Sequence, residues 1–215
     1  MNKRNQEISN SEAEKHFQNG YRLAWIEMNE PEAIIELKKA LELQPDMAEA
    51  HEQIGSIHFH AKKPRLLDAL NEFEETIRLS PKWSEGHFMF ANTLMELKRY
   101  KDALHEYRIA AGLASDDARI LIDLGYCLHK LKHYSQAVKA YHQGIALKPA
   151  YGEMGARMML ADTLKDAGRL KEAAIEWKIV ANTEPVWDYE MKLPAEAKEL
   201  LEKNTRTPIN KKHRP

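Results

Sequence analysis

The chain has 215 residues, of which 43% are hydrophobic and 30% are charged, a balance typical of a folded protein. Its formal net charge of −1 offers no basic field for nucleic acid or anionic lipid. The single cysteine, Cys127, excludes an internal disulfide, and no stretch approaches the roughly 18 uninterrupted apolar residues of a membrane span.

The N-terminal segment is polar throughout. It lacks the apolar core of a secretory signal, so we predict a cytoplasmic protein with a flexible N-terminus over residues 1–12.

From residue 13 onward the sequence repeats with a period of 34 to 36 residues. Each unit contains a tiny residue, then an alanine, then a bulky residue four positions after the alanine. The tiny residues are Gly20, Gly55, Ala91, Gly125 and Ala161. The alanines are Ala33, Ala69, Ala103, Ala137 and Ala173, and the bulky residues are Leu37, Phe73, Tyr107, Tyr141 and Trp177.

The spacing inside each unit is helical, because apolar residues recur three and four positions apart. Glycine or alanine within a helix lets two backbones approach closely, and a proline near the end of most units stops the second helix. The sequence therefore predicts five helix–turn–helix units, at residues 13–46, 47–82, 83–116, 117–151 and 152–186.

These units resemble the tetratricopeptide repeat. The resemblance is clearest in the fourth unit, which carries Leu121, Leu124, Gly125, Leu128, Tyr134, Ala137, Tyr141, Gly144, Leu147 and Pro149 in register. It implies an all-α fold, a right-handed superhelical solenoid of five helix–turn–helix repeats.

The period ends after Pro185. The segment "LPAEAKELLEKN" predicts a helix with Pro194 in its first turn, so we expect a C-terminal capping helix within residues 187–204. Residues 205–215 are basic, and we predict a disordered, solubilising tail.

The sequence contains no recognisable catalytic pattern. There is no glycine-rich phosphate loop, and no His–Glu pair completes a zinc-protease motif. His129 and His133 have metal-ligand spacing on one helix face, but the lysines beside them would repel a cation. Cys127 is best interpreted as a buried structural thiol. We predict no enzyme activity, no cofactor and no metal site.

A second stripe on each first helix is the candidate binding surface, because relatives in this family line a concave groove with it. An apolar stripe that remains after intramolecular packing indicates a partner, and an Asn amide can pair with a peptide backbone. The same side chains could instead pack between neighbouring first helices, and the sequence leaves both interpretations open. The predicted peptide-binding residues are Phe17, Tyr21, Phe59, Phe88, Met89, Asn92, Met95, Ile122, Tyr126, Met158 and Met159.

We therefore expect a non-catalytic scaffold, adaptor or assembly factor that binds an apolar peptide segment of another protein. We expect neither nucleic acid nor a membrane span, and a monomer is favoured. Two alternatives stay open: an escort chaperone for an apolar client segment, and an accessory subunit of an enzyme complex.

Overall fold

A computed structural model describes the backbone of residues 3–149 and 152–205 and the side chains of residues 10–149 and 152–204. Most of the predicted disordered tail, residues 206–215, lies outside the described residues. The α-helices are α1 Lys3–Trp25, α2 Glu30–Leu43, α3 Ala48–His60, α4 Leu66–Leu79, α5 Ser84–Glu96, α6 Tyr100–Leu113, α7 Ala118–Lys130, α8 Tyr134–Ala146, α9 Glu153–Asp166, α10 Leu170–Ala181 and α11 Leu193–Thr205. A short 3₁₀ helix covers Asp188–Glu190.

The all-α prediction is confirmed, since no β-strand occurs in the part of the chain that the structure describes. Helices α1 to α10 form five consecutive antiparallel pairs, one for each predicted repeat. Helix α1 begins at Lys3, upstream of the predicted first repeat, and the flexibility of residues 1–12 stays a prediction.

The chain divides into two compact units, Met1–Leu113 and Ala114–Pro215. The N-terminal unit contains the helix pairs α1/α2, α3/α4 and α5/α6. The C-terminal unit contains α7/α8 and α9/α10, followed by α11, which packs against α10 and contacts α9. Ala197 of α11 is fully buried, so this helix covers the last repeat as the predicted cap.

The repeated residues form the core of each helix pair. All five repeated alanines are 0% exposed, and the five bulky residues are at most 2% exposed. The tiny residues explain how the bulky ones fit. A Cβ atom added to Gly55 would lie 2.8 Å from Phe73 Cε1, and one added to Gly125 would lie 3.0 Å from Tyr141 Cδ1. The missing side chain thus lets the aromatic ring lie directly against the first helix.

The turns inside three repeats share one backbone geometry. Lys98, Lys132 and Gly168 have positive φ values of 59°, 61° and 76°. The next residue in each turn donates its N–H to a carbonyl of the preceding helix at 2.8 Å, as in Arg99 N–H to Leu94 O. This left-handed residue ends the first helix and reverses the chain.

A helix that crosses a bilayer must be both long and apolar. Within residues 3–149 and 152–205, no helix meets both requirements.

Candidate functional site

The first helices of neighbouring repeats lie side by side within each unit. In the N-terminal unit α1 contacts α3 and α3 contacts α5, and in the C-terminal unit α7 contacts α9. All eleven predicted groove residues belong to these five helices. The two units therefore each present a part of the predicted stripe.

Three predicted groove residues remain well exposed after the helix pairs have packed. Tyr21 is 44% exposed, Tyr126 is 38% exposed and Met159 is 39% exposed. A further six are partly buried: Phe17, Phe59, Asn92, Met95, Ile122 and Met158. These nine residues keep some accessible surface, to different degrees.

Four of the eleven residues contribute to packing, including the partly buried Phe17 and Ile122. Phe88 and Met89 are only 5% and 7% exposed, and the Phe88 ring centroid lies 6.1 Å from that of Tyr107 on α6. Phe17 packs against the core cluster of the first repeats. Ile122 fills the space over Gly144, where an added Cβ would lie 2.9 Å from Ile122 Cγ1. A role for these four in contacting a peptide stays a prediction.

The oxygen of the Asn92 side-chain amide already has a hydrogen-bond partner inside the repeat. Its Oδ1 accepts a hydrogen bond from the Tyr107 hydroxyl at 2.5 Å, while its Nδ2 lies 4.0 Å from Met89 Sδ. The sequence suggested that both ends of this amide would pair with a peptide backbone. In this conformation the amide nitrogen has donor capacity left, whereas the oxygen is partly satisfied by Tyr107.

A polar network connects α1 to α3 on the stripe of the N-terminal unit. Trp25 Nε1–H donates to Gln53 Oε1 at 2.6 Å, and Gln53 Nε2–H donates to Glu52 Oε2 at 2.6 Å. The Ser56 hydroxyl donates to Glu52 Oε1 at 2.7 Å. The His60 ring stacks edge-on against Trp25. The network holds the indole in place while leaving it 37% exposed.

Glu52 is the charged centre of this network. It is 7% exposed, and desolvation raises the pKa of its carboxyl, with the nearby Glu85 adding to the effect. The hydrogen bonds from Ser56 and Gln53 oppose that rise. Glu52 is not among the predicted peptide-binding residues, although a carboxylate close to aromatic residues of the same helix was a visible signal in the sequence.

In the C-terminal unit a histidine connects α7 to α9. His129 Nδ1 lies 2.9 Å from Thr163 Oγ1, and its Nε2 lies 3.7 Å from Asp166 Oδ2. Beside it, Lys130 Nζ lies 4.7 Å from the centroid of the Tyr126 ring, a cation–π contact. His129 therefore aligns neighbouring first helices. Over the described stretches of the chain, no group of three or more His, Cys, Asp and Glu side chains is arranged to hold a metal ion.

Sequence reasoning also missed a repeated polar pair inside the N-terminal unit. In each of its three helix pairs a histidine Nδ1 lies 2.7 Å from a glutamate Oε2 of the partner helix: His16 with Glu36, His51 with Glu72, and His87 with Glu106. In the sequence, the histidines were considered as metal ligands. Comparing positions one repeat apart shows that His16, His51 and His87 recur, although it does not show what they contact. These pairs join the two helices of a repeat and are structural.

The chain was then compared with known proteins. The tetratricopeptide repeat family model matches residues 88–151. With the repeated core already described, this match over residues 88–151 confirms the resemblance to the tetratricopeptide repeat.

One curated relative and several solved structures are similar to it. The BBSome complex member BBS4 homolog of Drosophila melanogaster is 27% identical over 113 residues, which is 53% of this chain and 22% of that protein. The chain therefore matches about a fifth of the length of this relative.

Among solved structures, YrrB, described as a TPR protein with an unusual peptide-binding site, is 20% identical with a TM-score of 0.71, over 86% of this chain and 90% of YrrB. PilF of Pseudomonas aeruginosa is 18% identical with a TM-score of 0.69, covering 91% and 90% of the two chains. A MamA structure is 18% identical with a TM-score of 0.66, covering 86% and 96%. At these identities the likeness shows the fold alone.

Proposed function

We propose that this protein is a non-catalytic scaffold or assembly factor of the cytoplasm that, as a monomer, holds a peptide segment of another protein against its first helices. The tetratricopeptide fold supports a role in protein–protein interaction. Beyond that role, we propose that the partner contributes a peptide segment, that the segment binds on the stripe, and that the protein catalyses no reaction.

One observation supports the stripe more than any other. Tyr21, Tyr126 and Met159 keep 38% to 44% of their surface exposed although the apolar core of every repeat is closed without them. Aromatic and methionine side chains in such positions are typical of adaptable contact surfaces, because they bury a large area and tolerate varied shapes. The exposed Trp25 beside Tyr21 extends this surface in the N-terminal unit.

Similar proteins support the same kind of partner. YrrB, which shares the fold, is described as having a peptide-binding site. The Drosophila relative is described as a member of a protein complex. Both descriptions favour a protein ligand over a small molecule. Each unit adds its own chemistry. The N-terminal unit offers an apolar anchor at Tyr21 and the amide nitrogen of Asn92 for a backbone carbonyl, and the C-terminal unit offers an apolar anchor at Tyr126.

The proposal is tested by photo-crosslinking from the stripe. The photoreactive residue p-benzoylphenylalanine replaces Tyr21 or Tyr126 in separate variants, and crosslinked peptides are identified by mass spectrometry. We expect each position to capture a partner protein, and a synthetic peptide of the segment captured at position 126 to bind the purified protein. Tyr126→Ala should weaken that binding by about tenfold, as for a central aromatic contact.

The matched control places the same photoreactive residue at Ile175, a side chain of α10 that is 59% exposed but lies on a second helix. Ile175→Ala should leave the affinity unchanged. Equal capture from position 175, or full affinity of the folded Tyr21→Ala and Tyr126→Ala variants, would show that the stripe is not the binding surface.

A further inference from the structure

A small cavity in the C-terminal unit has none of the predicted groove residues in its lining. It has a volume of about 200 Å³ and lies between the start of α9 and the connection that leads to α11. Its lining includes Glu153, Arg157, Glu184, Trp187 and Glu190. The space is comparable to one large side chain.

The charges around the cavity are unbalanced. Glu153, Glu184 and Glu190 contribute three carboxylates, against the single guanidinium of Arg157. That guanidinium is already committed, since Arg157 Nη2 lies 2.8 Å from Glu153 Oε1 and its Nη1 lies 2.9 Å from Glu176 Oε2. The cavity is therefore acidic.

Glu190 is the unusual member of this group. It is only 4% exposed, and no hydrogen bond or ion pair joins its carboxylate to another residue in the described ranges. Ion pairs and hydrogen bonds normally compensate a buried carboxylate, because burial removes its hydration. The carboxylate oxygens of Glu190 are not among the fully buried atoms without a hydrogen-bond partner, so the carboxylate keeps accessible surface at the cavity, where a cation can reach it from solvent.

An exposed aromatic segment borders the cavity. Val186 is 79% exposed and Trp187 is 44% exposed, and both line it. Tyr189 and Met191, at 63% and 62%, extend the exposed apolar surface of the same connection. A flat indole beside carboxylates suits a planar cation, which can stack on the ring while it donates hydrogen bonds to the carboxylate.

We propose that this cavity binds an arginine side chain from a basic segment of a partner protein, at a site separate from the first-helix stripe. The guanidinium donates to Glu190 and stacks on Trp187, while the partner backbone crosses the exposed Val186 and Tyr189. Arginine is preferred over lysine because its planar fork matches both the carboxylate and the indole, whereas the ammonium of lysine is a compact point charge.

The test uses full-length protein and three small probes followed by NMR. N-acetyl-arginine-N-methylamide, its lysine counterpart and its citrulline counterpart are titrated into ¹⁵N-labelled protein. We expect the arginine probe to shift the Trp187 indole resonance and the amide resonances of residues 183, 184 and 186–190 saturably. The lysine probe should bind more weakly, and the citrulline probe, which is neutral but has nearly the same shape, should cause no saturable shift.

Matched variants locate the interaction. Glu190→Gln keeps the size of the side chain and should weaken arginine binding by about tenfold, as expected for losing a charged hydrogen-bond partner. Glu199→Gln removes an exposed carboxylate of α11 outside the cavity and should leave binding unchanged. If Glu190→Gln does not fold, Trp187→Ala replaces an exposed side chain and should weaken the amide shifts in the same way.

Two results would overturn the proposal. One is equal binding of the arginine and citrulline probes, or unchanged arginine binding in folded Glu190→Gln and Trp187→Ala proteins. The other is a gain of about tenfold or more in arginine affinity when Lys211, Lys212 and Arg214 are changed to Ala, which would assign the cavity to the chain's own basic residues by competition.

Discussion

The two units have the same apolar core but connect their paired helices differently. In the N-terminal unit every helix pair carries a buried or partly buried His–Glu contact at 2.7 Å. In the C-terminal unit the α9/α10 pair has an Arg157–Glu176 ion pair at the equivalent place, whereas Leu121 and Ala140 occupy it in α7/α8. The hairpin therefore depends on the apolar core, and the polar contact is an addition that one repeat lacks.

Contacts that occur in all five repeats are general features of the fold, whereas contacts that occur in only some repeats are local. The bulky residue that packs against the first helix occurs in all five repeats. Its removal should therefore lower the free energy of unfolding by similar amounts in both units. The polar contacts differ in charge, burial and neighbours, so their removal should distinguish the units.

The largest effect is expected from emptying the shared core. Phe73→Ala in the N-terminal unit and Trp177→Ala in the C-terminal unit should each lower the free energy of unfolding by about 3–5 kcal/mol, because both side chains are 0% exposed and leave a cavity. Urea unfolding followed by circular dichroism measures the loss, and amide exchange assigns it to a unit. Ile35→Ala and Ile175→Ala, at exposed positions on second helices, are the controls. A loss confined to one of the two core variants would mean that the repeats do not share one core.

A smaller effect should follow from breaking the ion pair of the last repeat. Arg157→Met leaves Glu176, which is 8% exposed, without its cation and should cost about 2–3 kcal/mol. Combining it with Glu176→Leu should recover much of that loss, since no uncompensated carboxylate remains. Leu121→Met, the matched change in the fourth repeat, should cost less than about 1.5 kcal/mol. An Arg157→Met protein as stable as the wild type in urea would refute the ion pair's contribution.

One carboxyl of each unit, Glu36 and Asp123, should make stability respond to pH in opposite directions. The pKa of Glu36 is lowered from 4.5 to about 2, mainly by a hydrogen bond from Lys39 and then by one from His16. The folded state therefore binds the carboxyl proton less tightly than the unfolded state does. Its stabilisation is complete above pH 4.5 and is lost as the pH falls toward about 2. Burial raises the pKa of Asp123 from 3.8 to about 6, so its contribution is greatest below pH 3.8 and is lost as the pH rises through about 6.

Isosteric amides separate the two responses. Glu36→Gln should reduce the loss of stability between pH 4.5 and pH 2, and Asp123→Asn should raise stability at pH 7 with little change near pH 4. Urea midpoints across the pH range measure both. The expectation for Asp123 is wrong if the asparagine variant is less stable than the wild type at pH 7.

The smallest effect concerns the turns that the two units share. Lys98 and Lys132 occupy the left-handed region at φ 59° and 61°, where the equivalent residue of the fifth repeat is Gly168. Lys98→Gly and Lys132→Gly should each stabilise their unit by about 0.5–1 kcal/mol, since glycine adopts this conformation without steric cost. Lys139→Gly, at an exposed position inside helix α8, should destabilise by about 1 kcal/mol and serves as the control, measured as a change in Tm. A lower Tm for both turn variants would exclude strain at these lysines.

Much of the fold was predictable because its determinants are local and repeated. The tiny residue, the alanine and the bulky residue recur at a fixed spacing, so one correct repeat predicts the others. The helix pairs at residues 13–186 follow from that pattern, and the capping helix α11 follows from the separate helical segment that begins near Pro194. The stripe was predictable as a set of positions, because the helical period determines which residues share a face.

The exposure and partners of the stripe residues were not predictable in the same way. Phe88 and Met95 occupy comparable stripe positions, yet one is buried and the other is only partly buried. The contact between Trp25 and Gln53 joins residues 28 positions apart, and it depends on how two repeats pack.

Five repeated helix pairs with a cap were predictable from the sequence alone. Small and large side chains at helical spacing bury each other within one helix pair, so their pattern is visible over a short stretch of chain. Only the tertiary structure decided which polar groups meet between helices: the Glu52 network, the His–Glu pairs and the acidic cavity around Glu190. The physical reason is that hydrogen bonds and ion pairs act over about 3 Å, a distance that helical period alone does not specify.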